Sequence, residues 1–200
     1  AIAVTERGVV TALDRRGGEA WTADVAAEGG DLYFTRSALG EGLVVLPVSE
    51  THVVALDRGT GRERWQAPVA GVQAVAVGRD GAGAPLVAAS SRTGVLTVID
   101  AGDGTVRWSQ PQPLWFKDGT WLPDMAFAAG RLVLERVTRG DGVRLSVFDP
   151  GDGRLVWERT AQLTTSVAAV TERALVFGET TDLDDDGIAT STVRALDLAT

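Results

Sequence analysis

The chain has 200 residues, 44% of them hydrophobic, and 24 glycines, which suits a packed domain of many short strands and turns. A net charge of −8, with nineteen basic residues dispersed among twenty-seven acidic ones, would repel a phosphate backbone and excludes nucleic acid as a partner. The absence of cysteine excludes disulfides, thiolate ligands and thiol chemistry, and no apolar run approaches the roughly 20 residues that a membrane-spanning helix needs.

The opening AIAVT reads as a strand, and AIAVTERG lacks the basic start and apolar stretch of a signal peptide. Next comes VVTALDRRGGEAW, a strand closing on Asp14, a glycine-rich turn, and a second strand carrying Trp21. The phrase returns as VVALDRGTGRERW with Asp57 and Trp65, as VLTVIDAGDGTVRW with Asp100 and Trp108, and as RLSVFDPGDGRLVW with Asp149 and Trp157. A partial copy, TVRALDLAT, carries Asp197, and successive aspartates are 43, 43, 49 and 48 residues apart.

Each copy reads as a hairpin. Alternation in VVALD suits a half-buried strand, and the closing aspartate can accept hydrogen bonds from N–H groups of the turn after it. Gly61, Gly104 and Gly153 lie four residues beyond their aspartates, where a turn closing through positive φ calls for glycine. In the first copy Trp21 falls seven residues after Asp14 instead of eight, so either the turn is shorter or the strand is out of register.

Upstream of each phrase stand two more strands. Before Asp100 they are VQAVAV and PLVAAS, separated by the turn-rich RDGAGA; before Asp149 they are MAFAA and RLVLERV, separated by Gly130. Four strands in a unit of roughly 40 to 50 residues mark a β-propeller, because one small sheet must stack on its neighbours to bury both faces. The expected fold is therefore all-β, a propeller of four-stranded antiparallel blades. An indole on an outer strand can fill the space between one blade and the next, so Trp65 and Trp108 are expected to be largely buried.

Three further stretches stand out. His52, the only histidine, has no second histidine with which to hold zinc, and reads as a strand residue filling space. PQPLWFKDGTWLP, residues 111 to 123, is the least repeat-like segment; its Trp115, Phe116 and Trp121 could anchor a protein or carbohydrate partner, or could cap the end of a blade. In TDLDDDGIATS, Asp182, Asp184 and Asp186 precede Gly187 in the D-x-D-x-D-G order of a calcium loop, with the Ile188 carbonyl and Thr190 as further ligands. Val193 stands where an EF-hand has its bidentate glutamate, and an acidic solvated hairpin is the competing reading.

The run A-L-D-x-x-T-G-x-x-x-W at 55 to 65 resembles the tryptophan-docking motif of the PQQ-like β-propeller repeat family. The resemblance covers essentially the whole chain. It implies that Trp21, Trp65, Trp108 and Trp157 lock neighbouring blades, with the motif alanine kept at Ala12, Ala55 and Ala195 and replaced by valine at Val98 and Val147. It implies a single propeller domain over residues 1 to 200, a partial ring of about four and a half blades truncated at both ends.

The family includes quinoprotein alcohol and glucose dehydrogenases. It also includes propellers that bind no quinone, among them periplasmic assembly-factor lipoproteins of the BamB type and extracytoplasmic domains of membrane proteins or kinases. A quinone site needs a calcium with carboxylate and amide ligands, and the sequence has neither asparagine nor the vicinal cysteines of the alcohol dehydrogenases. The expectation is a non-enzymatic binding or scaffolding module of an extracytoplasmic bacterial protein, with a protein partner, no cofactor unless the acidic loop holds calcium, and any membrane tether outside these residues. A quinoprotein dehydrogenase fragment and a sensor domain of a membrane kinase are the alternatives.

Overall fold

The computed structural model describes residues 1–5, 8–25, 37–48, 51–112, 124–138, 142–161, 167–170, 174–183 and 189–197. All regular structure among them is β. The strands are β1 (Ile2–Val4), β2 (Val9–Leu13), β3 (Glu19–Asp24), β4 (Ala38–Gly40), β5 (Leu43–Val48), β6 (His52–Asp57), β7 (Glu63–Pro68), β8 (Val72–Arg79) and β9 (Pro85–Ser91). They continue as β10 (Val95–Asp100), β11 (Val106–Pro111), β12 (Asp124–Ala128), β13 (Arg131–Thr138), β14 (Gly142–Phe148), β15 (Leu155–Ala161), β16 (Val167–Val170), β17 (Ala174–Leu183) and β18 (Ala189–Asp197).

These strands form five meandering sheets, and three of them have four strands, β4-β5-β6-β7, β8-β9-β10-β11 and β12-β13-β14-β15. The first and last sheets, β1-β2-β3 and β16-β17-β18, have three strands each among the described residues. In every four-stranded sheet the segment ending on the motif aspartate is third and the tryptophan-bearing segment is at the edge. The first sheet supplies the counterparts of strands two to four, and the last those of strands one to three.

The chain divides into two compact units, residues 1–77 with 87–112, and residues 78–86 with 113–200. In the first unit, two apolar layers form between successive sheets. Val10 of the first sheet, with Trp21 and Ala23 beside it, packs on Val44, Leu46, Val54 and Leu56 of the second. The other face of the second sheet, with Val45, Val53, Ala55 and Trp65, packs on Val75, Val87, Ala89 and Ile99 of the third.

The second sheet is thus covered on both faces, which corrects the half-buried reading of VVALD. Val53, Val54, Ala55 and Leu56 are all buried. A strand between two neighbouring sheets has no solvent face, so its sequence is a continuous apolar run, as LVVLPV in β5 also is. Pro47 is tolerated within β5, since among the described residues β4 pairs from Ala38↔Val45 to Gly40↔Leu43 and Pro47 lies beyond that span.

Where the first strands of the second and third sheets approach, Gly40 of β4 leaves room for Val77 of β8; a β-carbon there would stand 2.9 Å from the valine Cγ1. In the second unit, the turn at Gly130 lies directly against the turn at Gly81. The β12 to β13 connection is a two-residue turn with positive φ at both Ala129 and Gly130, the geometry that matches strand twist.

Candidate functional site

The repeated aspartate, turn and tryptophan build one local structure four times. In each copy the residue two before the aspartate pairs with the tryptophan: Ala12↔Trp21, Ala55↔Trp65, Val98↔Trp108 and Val147↔Trp157. Immediately after that pair the register shifts, as at Ala55/Leu56 and Val98/Ile99. A bulge at this point bends the edge strand and sets the direction of the indole. The first copy keeps this register, so its missing residue is taken from the turn.

The turn is held by the aspartate. Asp57 Oδ1 accepts hydrogen bonds from the Gly59 and Thr60 N–H groups and from the Thr60 hydroxyl, at 3.0, 2.9 and 2.9 Å. Its backbone N–H donates to the Arg62 carbonyl, and its carbonyl accepts from Gly61. The same closure recurs at Asp100 with Gly104 and at Asp149 with Gly153. Asp103 and Asp152, in the place of Thr60, cap the N–H groups of Thr105 and Arg154. The shorter first turn closes from the Asp14 N–H to the Gly18 carbonyl, with Arg16 and Gly18 donating to Asp14 Oδ1.

The second oxygen of Asp57, Asp100 and Asp149 faces an arginine. Arg107 lies 2.6 Å from Asp100, Arg131 2.6 Å from Asp149, and Arg64 3.2 Å from Asp57. These pairs are part-exposed, so each contributes little by itself. The Asp57 carboxyl nevertheless lies below its ordinary range. The Thr60 hydroxyl lowers it most and partial burial opposes, while the Thr60 and Gly59 N–H groups and the Arg64 charge lower it further. Asp100 is lowered chiefly by its hydrogen bond from Arg107, then by the Gly102 N–H.

A pH dependence follows. With a folded pKa below the unfolded one, the stabilisation is complete above about pH 3.9 and is lost as the pH falls through the folded value. The urea midpoint of the parent should exceed that of Asp100→Asn at about pH 5, and the gap should narrow by about pH 2.5. A gap that does not change with pH would contradict the role given to the carboxylate.

The indole of one sheet meets the turn of the next. Trp65 Nε1–H donates to the Ala101 carbonyl at 2.9 Å, and Trp21 Nε1–H to the Arg58 carbonyl at 3.0 Å. Both acceptors lie one residue after the motif aspartate. A β-carbon on Gly61 would stand 2.5 Å from Trp21 Cε3, and one on Gly104 2.9 Å from Trp65 Cε3. Gly61 and Gly104 also have φ of 72° and 79°, so two independent requirements fall on one residue. Gly17 of the first turn has a φ of 81° but no heavy atom near its would-be β-carbon among the described residues.

Trp65 is buried, whereas Trp21, Trp108 and Trp157 are half-buried. For Trp108 this is less burial than its motif position suggested. Residues that sequence reasoning missed include Arg58 and Ala101, which act through backbone carbonyls and so leave no side-chain signal. The arginine partners were missed as well; Arg131 is 18 residues from Asp149 and only the strand pairing brings them together. His52 begins β6 half-buried, and its Nδ1 is 2.8 Å from the Thr51 hydroxyl.

The Trp115, Phe116 and Trp121 cluster lies outside the described residues, as do Asp184, Asp186 and Ile188 of the acidic loop. Asp182 and Thr190 are described in backbone only, as register partners of β17 and β18.

Antiparallel four-stranded sheets repeating at this spacing, each with its tryptophan strand at the edge, define a β-propeller. The chain belongs to the family described as outer membrane protein assembly factor BamB, whose sequence profile matches residues 1–90 and 49–200. BamB from Moraxella catarrhalis is similar in structure, with a TM-score of 0.63 and 21% identity over 88% of this chain and 53% of that one. The computationally designed Ika8 protein has a TM-score of 0.66 and 19% identity over 98% of this chain and 55% of its own. Quinohemoprotein alcohol dehydrogenase from Comamonas testosteroni has a TM-score of 0.54 and 17% identity over 96% of this chain and 37% of the enzyme.

At these identities the likeness carries the fold. The chain spans about half the length of the BamB and Ika8 structures, at 53% and 55%. No curated protein matches its sequence.

Proposed function

We propose that residues 1–200 are part of a single non-catalytic propeller that binds or scaffolds a protein partner outside the bacterial cytoplasm, with Trp21, Trp65, Trp108 and Trp157 docking its blades. The observation that supports this most is the match to the BamB family across the whole chain. The geometry is consistent with it, since the motif aspartates, glycines and Trp65 are engaged in turns and junctions. Trp115, Phe116 and Trp121 are the proposed partner-facing residues.

The second reading, a quinoprotein dehydrogenase fragment, draws on the fold likeness to the Comamonas enzyme. The residues present do not fit a quinone site, because the sequence has neither the asparagine for an amide ligand nor the paired cysteines. Reconstituting the full-length protein with PQQ and calcium separates the readings. No dye-linked oxidation of simple alcohols or aldoses is the expected result, and turnover with any of them would replace the binding reading with the enzymatic one.

We also propose that Asp182, Asp184 and Asp186, with the Ile188 carbonyl and Thr190, hold a structural calcium ion. Oxygen-only ligands select a hard cation, and three neighbouring carboxylates repel one another until a cation neutralises them. Calcium binding to the folded state alone raises the melting temperature in proportion to the logarithm of its concentration. Calcium added to chelator-treated protein should therefore raise the melting temperature of the parent and leave an Asp184→Ala, Asp186→Ala double variant unmoved. An unchanged melting temperature in the parent leaves an acidic surface turn in its place.

A further inference from the structure

We draw no further inference here: the strongest candidate, the half-exposed face of the first sheet beside the Gly17 turn, is a sheet face unpartnered among the described residues, and nothing in the structure shows what covers it.

Discussion

Trp65→Ala is expected to destabilise the full-length protein by about 3 to 5 kcal/mol, read from urea unfolding. The indole lies in the apolar layer between the second and third sheets with Val45, Val53, Val87 and Ile99. Removing it leaves a cavity bounded by two sheets that cannot collapse independently, and it orphans the Ala101 carbonyl. Trp65→Phe separates the two contributions, since it keeps an aromatic ring but removes the N–H donor. It should cost distinctly less than the alanine variant. A loss under about 1 kcal/mol for Trp65→Ala would mean that the sheets are held together without it.

Gly61→Ala should cost about 1 to 3 kcal/mol more than Gly17→Ala, although both glycines have nearly the same φ, 72° and 81°. The conformational cost of placing alanine at positive φ is about 1 to 2 kcal/mol and is common to both. Only at Gly61 does the new methyl group meet the Trp21 ring, at 2.5 Å, and the overpacking adds about 1 to 3 kcal/mol. In a Trp21→Ala background the extra cost at Gly61 should largely vanish, because the obstructing ring is gone. Comparing the four unfolding midpoints is a double-mutant cycle on the junction. Equal costs for the two glycine variants in the parent would show that backbone strain alone governs both positions.

The parts of the junction that are local in sequence could be read from it. The offset from Asp57 to Gly61 reflects a turn closed within a few residues, and the offset from Asp57 to Trp65 reflects one hairpin register. Both survive as spacing because both are set by contacts between near neighbours in the chain. The alternation test misread β6 for the opposite reason: what covers the second face of Val53 to Leu56 comes from another repeat, which a window of six residues does not contain. Valine and alanine at consecutive positions were the available clue, since a strand with a wet face would carry polar residues at every second place.

The first copy divides along the same line. Its sequence left two alternatives for the missing residue, a shorter turn or a shifted strand. The pairing Ala12↔Trp21 decides for the turn, because a one-residue slip would carry Trp21 to the opposite face of its sheet. That face is turned away from Val44, Leu46 and Leu56, so register is retained where burial rewards it and the exposed turn absorbs the deletion.

By itself the sequence determined the all-β class, the repeat length, the hairpin in each repeat, the edge position of the tryptophan and the propeller family. Each of these is a periodic or short-range property, repeated often enough along the chain to be recognised. Only the tertiary structure decided which backbone carbonyls receive the indoles of Trp21 and Trp65, that Gly61 and Gly104 are small for the sake of a neighbouring ring as well as their own φ, and which arginines face Asp57, Asp100 and Asp149. Those pairings join atoms of different strands or repeats, Trp65 to Ala101 across 36 residues for example. A carbonyl is present at every position, so the residue name cannot reveal which one is used.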